Sequence, residues 1–379
     1  MAAHIDDLIG RIRERHPAPW PVRFHVAGVT LDIFAGTEKI AEEIAAYYLP
    51  FEDEPGASAV RESALTISVI EAEPERIRGT GRIRRGRAGA GRVKEIVHEV
   101  PGGRIIEKVA SGLTVFVGSR EWIVLGRAAE QINPVVNVIN AAYMTAWRRQ
   151  GLSVLHAAAV SWGGSAVAIM GAPGAGKSTA ALWCMEEGAE YVTNDRLLVG
   201  PLPEAKVLGV PKHPRVNPGT RLTHPRLFMN LTPEERNSLG RLPLKDLVEL
   251  EEKQDVVIES CYGPGRLKIP TRLAGWVFLD WRVGTGAWTA SVIPFAALRP
   301  WAGDIVRGID PYDSSEAEAG PDDLFNEMTS RLSRVPGLRI SGKADFPALA
   351  RALRAWIVDG ELPAIGVINP AEELPRALG

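Results

Sequence analysis

The first half of the chain switches between strand-like and helix-like patterns of apolar residues. Residues 22–36, VRFHVAGVTLDIFAG, are rich in strand-forming residues around Gly28, which predicts two short strands joined by a turn. Residues 38–49 carry apolar side chains at helical spacing, and residues 64–72 alternate like a strand. Three further strand-like segments, GRIIEKVAS, GLTVFVGS and EWIVLGR, resemble a meander. These patterns predict a small α+β domain.

The second half opens with a different order of elements. Residues 130–150 have the pattern of a long helix, and apolar strands are predicted at 154–162 and 165–170. The second strand leads directly into the glycine-rich segment GAPGAGKST, which is followed by a predicted helix, TAALWCMEEG, and a strand at 189–195. A strand, a glycine-rich loop, a helix and another strand in this order are typical of an α/β nucleotide-binding domain.

The length of 379 residues exceeds what a single core usually supports, so we expect more than one domain. We predict an N-terminal α+β domain over residues 1–128, a P-loop kinase-like α/β domain over 129–362, and a C-terminal tail over 363–379. An acidic segment at 313–323 is predicted to be a flexible connector.

Composition narrows the class of protein. Hydrophobic residues make up 45% and charged residues 24% of the chain, and the net charge is −2. This mixture is typical of a soluble globular protein and gives no overall attraction to nucleic acid or membrane. The 2 cysteines do not form a CxxC pair, which argues against a thiolate zinc site and favours a reducing cytoplasm. We also expect no membrane insertion, because no apolar run reaches spanning length.

Residues 76–94 stand out by their charge. This segment holds eight basic residues and several glycines but no acidic residue, so we predict a mobile loop. It could bind an acidic peptide or RNA phosphates. The absence of an aromatic residue for base stacking favours a solvated loop instead.

The segment 171–178 fits the P-loop pattern G-x-x-x-x-G-K-S/T without a mismatch. Its glycines permit turns that direct backbone N–H groups at phosphate, Lys177 would reach the β- and γ-phosphates, and Ser178 would offer its hydroxyl to Mg²⁺. A glycine-rich turn that matches by chance is the alternative, and the flanking strand and helix argue against it. The predicted nucleotide-binding residues are Gly171, Ala172, Pro173, Gly174, Ala175, Gly176, Lys177, Ser178 and Thr179.

Four further positions could serve this loop. Asp195 ends a strand pattern one helix later, where a carboxylate can hold Mg²⁺ or take a hydroxyl proton, although a turn aspartate is the alternative. Asp280 also ends an apolar strand and competes with Asp195, but we favour a structural role for it. Lys212 and Arg215 lie in a proline-bounded loop and could clamp a γ-phosphate or an acidic substrate, or could simply be solvated.

Several of these residues together resemble the catalytic domain of HPr kinase/phosphorylase. The resemblance rests on LHAAAV, GAPGAGKST and YVTND, covers about residues 152–200, and is closest to HPr kinase-related kinases of small bacterial gene clusters. It implies a P-loop kinase domain in which His156 lies near the transferring phosphate. Without the resemblance, a lone histidine on an apolar strand would be read as a core residue. Asp195 would correspond to the second acid of the family's pair.

The chain also departs from that family. Asn194 replaces the first acid, the one that would take the proton from the substrate hydroxyl, and the glycine-rich signature after this strand is replaced by GVPKHPRVNPGT. The N-terminal segment shows no match to the family, so HPr itself is not expected as the substrate.

Taken together, the sequence predicts a cytoplasmic kinase that uses ATP and Mg²⁺ to phosphorylate a hydroxyl on a peptide, a protein or a metabolite. The expected catalytic residues are Asp195, His156 and Lys177, and the expected metal ligands are Ser178 and Asp195. Asn194, Lys212 and Arg215 are candidate phosphate or substrate contacts. Nucleic acid is not expected as a partner, and self-association is left open. The alternative is a nucleotide-dependent binding or regulatory module with weak or no transfer, which Asn194 favours.

Overall fold

The structure is a computed structural model. It describes residues 3–363 except 54–61, 75–76, 78–80, 86–92, 244–246, 248–249, 251–252, 283–287, 307, 310 and 314–319. The chain divides into two compact units: the first comprises Met1–Leu152 and Gly308–Gly320, and the second comprises Ser153–Arg307 and Pro321–Gly379. No described helix combines the length and the apolar character needed to cross a membrane.

The helices of the described residues vary from single turns to five turns. They are α1 (Ile5–Arg15), α2 (Glu38–Tyr48), α3 (Ile132–Arg149), α4 (Lys177–Glu186), α5 (Pro218–Thr223), α6 (Pro225–Met229), α7 (Pro233–Gly240), α8 (Ile258–Tyr262), α9 (Ala302–Ile305), α10 (Pro321–Leu332) and α11 (Phe346–Arg354). Short 3-10 helices occur at Leu49–Phe51, Ala128–Glu130 and Phe295–Trp301, and a π-helical turn at Ala355–Asp359 continues α11.

The strands of the first unit are β1 (Trp20–Val26), β2 (Val29–Ala35), β3 (Leu65–Glu71), β4 (Arg82–Arg85), β5 (Val93–Val100), β6 (Gly103–Lys108), β7 (Leu113–Val117) and β8 (Glu121–Gly126). Those of the second unit are β9 (Ser153–Leu155), β10 (Ala158–Trp162), β11 (Ser165–Gly171), β12 (Glu190–Thr193), β13 (Leu197–Val199), β14 (Lys206–Gly209), β15 (Arg215–Val216), β16 (Gln254–Asp255), β17 (Pro270–Arg282), β18 (Thr289–Val292) and β19 (Gly337–Lys343).

The first unit is built on one mixed sheet with the strand order β1-β2-β3-β8-β7-β6-β5-β4. The predicted hairpin is present, since β1 pairs antiparallel with β2 around a turn in which Gly28 has φ 85°. The predicted meander is β6, β7 and β8, which pair antiparallel in succession. Helix α1 buries Ile5, Ile9 and Ile12 against one face, where apolar burial stabilises the unit.

The prediction of a loop over residues 76–94 was wrong for its centre. Residues 82–85 form β4, which pairs antiparallel with β5 at the edge of the sheet. Arg84 Nη1 donates to Glu95 Oε2 at 2.6 Å, so the counter-charge comes from a residue just beyond the basic segment. The parts of the predicted loop at 75–76, 78–80 and 86–92 lie outside the described residues.

The predicted domain boundary after residue 128 also differs from the observed division. Helix α3 contacts β2, β3 and α2, and the first unit therefore extends to Leu152. Residues 308–320 return to the same unit: the Tyr312 ring stacks on Trp122 with centroids 5.6 Å apart, and Arg148 pairs with Asp313 at 3.3 Å. Asp313 therefore does not belong to a free connector, and the connector's last residues begin α10. The predicted tail falls outside the described residues from 364 onward.

The second unit is an α/β arrangement around a mixed sheet. Strand β11 lies between β10, which is antiparallel to it, and β17, which is parallel to it. One face buries side chains of α4 and α11, among them Leu182 and Leu353, and the other buries Phe325 and Met328 of α10. Helices on both faces of the sheet are typical of an α/β domain. The assignment of this unit to the P-loop kinases stays a prediction.

Candidate active site

One edge of the second sheet gathers most of the predicted site residues. Strand β12 is antiparallel to β10, which is antiparallel to β11, so β11 and β12 end at the same edge. Strand β17 runs parallel to β11 and ends there as well. Ligands of open α/β sheets bind outside the carboxyl ends of the strands. The glycine-rich loop, residues 194–196 and Asp280 therefore all lie where a ligand is expected.

The glycine-rich loop connects the end of β11 to the start of α4. Gly174 and Gly176 have φ values of 83° and 85°, which side chains with a Cβ rarely adopt. A Cβ at Gly176 would also lie 2.5 Å from the Phe346 ring. Within the loop, the Ala175 N–H donates to the Ala172 carbonyl at 3.1 Å and closes a turn around Pro173.

Two aromatic residues support this loop from neighbouring elements. Trp281 Nε1 at the end of β17 donates to the Ala175 carbonyl at 2.9 Å. The Trp281 ring also packs edge-to-face on Phe346 at the start of α11, with centroids 4.9 Å apart. Neither contact could be predicted from local sequence patterns, because both join segments that are distant along the chain.

Lys177 is buried and folds back over the loop. Its ammonium donates to the Gly171 carbonyl at 2.9 Å and to the Ala172 carbonyl at 3.2 Å. A buried ammonium needs such partners, and an anion held by the loop N–H groups would be a stronger one. Thr179, which was also predicted to bind nucleotide, lies on α4. Its hydroxyl is 3.1 Å from the Thr220 hydroxyl and therefore faces α5.

The side chain that contacts Ser178 belongs to Asn194. Asn194 Nδ2 donates to Ser178 Oγ at 3.3 Å, while the Tyr191 hydroxyl lies 3.3 Å from Asn194 Oδ1 and donates to the Lys212 carbonyl at 2.9 Å. The shorter of the two contacts gives the single hydroxyl proton of Tyr191 to the Lys212 carbonyl. The sequence predicts Asp195, and not Asn194, as the metal ligand that accompanies Ser178.

Asp195 pairs with His156. Asp195 Oδ1 lies 3.3 Å from His156 Nε2, and His156 Nδ1 lies 2.5 Å from the Asp304 carbonyl. A carbonyl can only accept, so Nδ1 carries a proton and Nε2 faces the carboxylate. Burial lowers the pKa of His156, and Asp195 opposes that shift. The pair is therefore arranged to hold a proton between Nε2 and Oδ1.

The sequence predicts that His156 lies within a strand, and this prediction was wrong. His156 lies between the end of β9 and the start of β10, where its backbone N–H donates to the Ile305 carbonyl at 2.7 Å. Strand β10 begins two residues later, at the edge where β11 ends.

Basic residues near Asp195 keep its carboxyl group ionised. Burial acts to raise the pKa of this carboxyl, but Arg196, His156 and Lys212 outweigh it and hold the pKa well below its usual range. Arg196 Nε lies 4.0 Å from Asp195 Oδ2. A carboxylate with so low a pKa is a good partner for cations and a weak base by itself. Its ability to remove a proton therefore depends on His156.

The two basic residues of the proline-bounded loop have different roles. Burial lowers the pKa of Lys212, whereas Asp195 and Asp255 both act to raise it. Its backbone carbonyl accepts the Tyr191 hydroxyl at 2.9 Å. Arg215 instead pairs with Asp255 at 3.1 Å and donates to the Lys253 carbonyl at 2.8 Å. These contacts hold it on the β15–β16 pair rather than at the glycine-rich loop.

Asp280, the competing carboxylate, is engaged within the sheet. Arg339 on β19 donates to Asp280 through two of its nitrogens, and Nε lies 2.9 Å from Oδ2. This ion pair supports the structural role that we favoured for Asp280. Arg196 is the residue that sequence reasoning overlooked here, although its position directly after Asp195 was a usable signal.

No group of three or more His, Cys, Asp or Glu side chains that could bind a metal occurs in the described part of the chain. Mg²⁺ at nucleotide sites is usually held by one or two protein oxygens together with phosphates and water, so the Ser178 hydroxyl and one carboxylate fit that chemistry. No protein-family model matches the sequence, and no curated protein matches it. The resemblance to HPr kinases therefore stays a prediction.

Proposed function

We propose that the chain is a cytoplasmic kinase that uses ATP and Mg²⁺ to phosphorylate a hydroxyl on a peptide, a protein or a metabolite. The observation that carries this proposal is the placement of the glycine-rich loop, with Lys177 inside it, at the same sheet edge as the His156–Asp195 pair. A phosphate-binding loop beside a group that can hold a proton is the minimum that phosphoryl transfer to a hydroxyl requires.

The residues of the loop fit a nucleoside triphosphate. Lys177 donates to two loop carbonyls and could exchange them for phosphate oxygens with a short side-chain movement. The start of α4 adds its N–H groups and the positive end of its dipole. When bound, Mg²⁺ would neutralise phosphate charge. Ser178 would hold it through Oγ, because Asn194 occupies only one side of that oxygen.

His156 and Asp195 would manage the proton. They take up the proton that the acceptor hydroxyl releases as its oxygen bonds to the γ-phosphorus and the β–γ bridging oxygen leaves with ADP. The Asp304 carbonyl keeps Nδ1 protonated, so Nε2 is the nitrogen available to receive it. Positioning and charge neutralisation supply most of the rate enhancement in such reactions, so a weak base suffices.

A regulatory module that binds nucleotide without transferring phosphate is the second candidate. Asn194 at the Ser178 hydroxyl favours it, because an amide cannot accept a proton from a substrate hydroxyl. The low pKa of Asp195 points the same way. Both candidates require nucleotide binding, and only the kinase requires an acceptor.

The experiment that separates them is transfer of label from γ-radiolabelled ATP. The purified chain is incubated with Mg²⁺ and a lysate from a strain that lacks its gene, beside the Lys177→Ala variant. The kinase proposal predicts a labelled macromolecule or metabolite with the wild-type chain alone. Wild-type binding of ATP without any label above the variant would establish the regulatory module instead.

A further inference from the structure

The indole of Trp281 fixes one peptide plane of the glycine-rich loop. Its Nε1 donates to the Ala175 carbonyl at 2.9 Å. The peptide bond between Ala175 and Gly176 is trans, since the one cis bond among the described residues joins Leu202 and Pro203. In a planar trans peptide the C=O and the following N–H point in opposite directions. Because Trp281 holds the carbonyl on its own side, the Gly176 N–H is directed away from Trp281.

The direction of this N–H matters for anion binding. A glycine-rich loop binds phosphate through successive backbone N–H groups, and a carbonyl turned toward the same anion would repel it. Gly176 has φ 85°, and the absence of a side chain gives its backbone a wide range of other conformations. The sequence of the loop therefore permits this peptide to rotate, and the hydrogen bond from Trp281 restricts that rotation.

Phe346 restricts the same peptide from its glycine side. A Cβ at Gly176 would lie 2.5 Å from the Phe346 ring, so the ring lies directly against this residue. The ring also packs edge-to-face on Trp281, with centroids 4.9 Å apart, and belongs to the first turn of α11, which Asp345 caps. The two aromatic rings thus contact each other and both residues of the Ala175–Gly176 peptide.

Strand β17 carries a second tryptophan with bonds of the same kind. Trp276 Nε1 donates to the Val335 carbonyl at 3.1 Å, and its ring packs edge-to-face on Phe295 with centroids 5.5 Å apart. Trp276 is fully buried and packs with the apolar residues on the face of the sheet opposite to that of Trp281. Trp276 therefore shows what an indole bonded to a carbonyl does when it serves the core alone.

We infer that Trp281 is a positioning residue for phosphate binding, whose indole N–H holds the Ala175–Gly176 peptide so that the Gly176 N–H can donate to a nucleotide phosphate. The inference rests on the proposed function and deepens it. It adds to the nucleotide site a residue that lies 106 positions beyond Ala175. Phe346 assists by keeping the indole in place through ring contact.

The test uses pyrophosphate with Mg²⁺ as the probe, because pyrophosphate has no base that could contact the indole ring. Trp281→Phe keeps an aromatic ring beside Phe346 and removes the N–H donor. In calorimetric titrations, we expect a Kd raised about five- to tenfold in Trp281→Phe for both pyrophosphate and ATP, the effect of one misdirected hydrogen bond. The matched control, Trp276→Phe, should bind like the wild type although its melting temperature falls further, since Trp276 is fully buried.

The results that would overturn the inference are distinct. Pyrophosphate binding by Trp281→Phe equal to that of the wild type would do so, and weaker binding of ATP alone would assign the indole to the nucleoside instead. An equal loss of affinity in Trp276→Phe would show a general effect of lost stability. If the wild type binds neither pyrophosphate nor ATP, the proposed function fails and this role of Trp281 fails with it.

A measurement on the wild type keeps the test independent of how well the variants fold. Pyrophosphate should shift the amide resonance of Gly176 in the NMR spectrum of the wild-type chain, because that N–H acquires a phosphate acceptor. An unmoved Gly176 resonance at saturating pyrophosphate would overturn the inference while leaving the proposed function intact.

Discussion

Two carboxylates, one in each unit, sit among basic residues in different ways. Glu95 in the first unit has a side chain only 3% exposed, with Arg84 at 2.6 Å and Lys108 at 3.1 Å. Asp195 in the second unit is 46% exposed, with His156 at 3.3 Å and Arg196 at 4.0 Å. Short, saturated contacts stabilise a fold, whereas long contacts beside an orphan donor leave charge available to a ligand.

The surroundings confirm this contrast. Lys108 also lies over the Tyr312 ring, 5.4 Å from its centroid, so its ammonium has both a carboxylate and an aromatic face. Near Asp195, by contrast, the buried Nη1 of Arg196 has no hydrogen-bond partner among the described residues. We therefore expect mutations at Glu95 to alter stability and mutations at the Asp195 edge to alter binding and turnover.

The largest expected effect follows from removing the ammonium at the loop. Lys177→Ala should abolish phosphate transfer and weaken ATP binding by about 10- to 100-fold, the equivalent of a lost charge-assisted hydrogen bond of about 1.5–3 kcal/mol. Its melting temperature should stay close to that of the wild type. Turnover and ATP affinity equal to the wild type would show that the glycine-rich loop is not a phosphate site.

The next effect concerns the proton-holding pair. Asp195→Asn should lower kcat by about 10²–10⁴-fold, since general-base assistance and metal binding are both impaired. Asp280→Asn is the matched control, because it removes a carboxylate at the same edge that Arg339 already engages. Steady-state kinetics measure turnover, and thermal melting detects any loss of stability. Loss of turnover in Asp280→Asn with normal turnover in Asp195→Asn would identify Asp280 as the essential carboxylate.

Glu95 provides the structural counterpart. Glu95→Gln should reduce the free energy of unfolding by about 2–3 kcal/mol, below the roughly 3–5 kcal/mol of a fully buried broken pair because Arg84 stays 27% exposed. ATP binding should not change. Chemical denaturation measures the loss, with substitution of the exposed Glu42 by Gln as the control. A stability equal to that of the wild type would show that Glu95 does not stabilise the first unit.

The same carboxylate predicts a pH dependence of stability. Burial acts to raise the pKa of Glu95, but Lys108, Lys94 and Arg84 outweigh it and lower the pKa below the ordinary 4.5. A depressed folded-state pKa stabilises the fold above the unfolded-state value, and this contribution is lost as the pH falls through the folded-state pKa. Wild-type stability should thus decline below about pH 4.5 more steeply than that of Glu95→Gln. Parallel declines would contradict this.

The smallest effect is expected at Asn194. Asn194→Asp should be tolerated, with kcat within about tenfold of the wild type, because a carboxylate restores a possible metal ligand but loses the donor to Ser178 Oγ. The Mg²⁺ concentration for half-maximal turnover should fall. Asn194→Ala, which offers neither donor nor ligand, is the control and should raise it. A lower requirement in both variants would show that the hydrogen bond from Asn194 to Ser178 Oγ does not assist Mg²⁺ binding.

The order of elements around the loop could be read from the sequence because each signal is local. Apolar periodicity marked β11 and α4, and glycines marked the turn between them. The meander of the first unit was equally readable from short apolar runs and glycines. These features depend on residues that lie within about ten positions of one another.

The remaining features depend on contacts between distant segments. The arginine-rich residues 82–85 form an edge strand by pairing with β5, and Arg84 pairs with Glu95, which lies outside the basic segment. Helix α3 joins the first unit through packing against β2 and β3. Asn194 rather than Asp195 contacts Ser178 because of how β12 ends, a detail that the order of residues alone does not specify.

The central claim is that the glycine-rich loop holds ATP together with Mg²⁺. Calorimetric titration of the wild-type chain with ATP, with Mg²⁺ and then with excess chelator, tests it most directly beside Ser178→Ala. We predict one ATP per chain, weaker binding when Mg²⁺ is removed, and little Mg²⁺ dependence in Ser178→Ala. No saturable binding by the wild type, or the same Mg²⁺ dependence in Ser178→Ala, would contradict the claim.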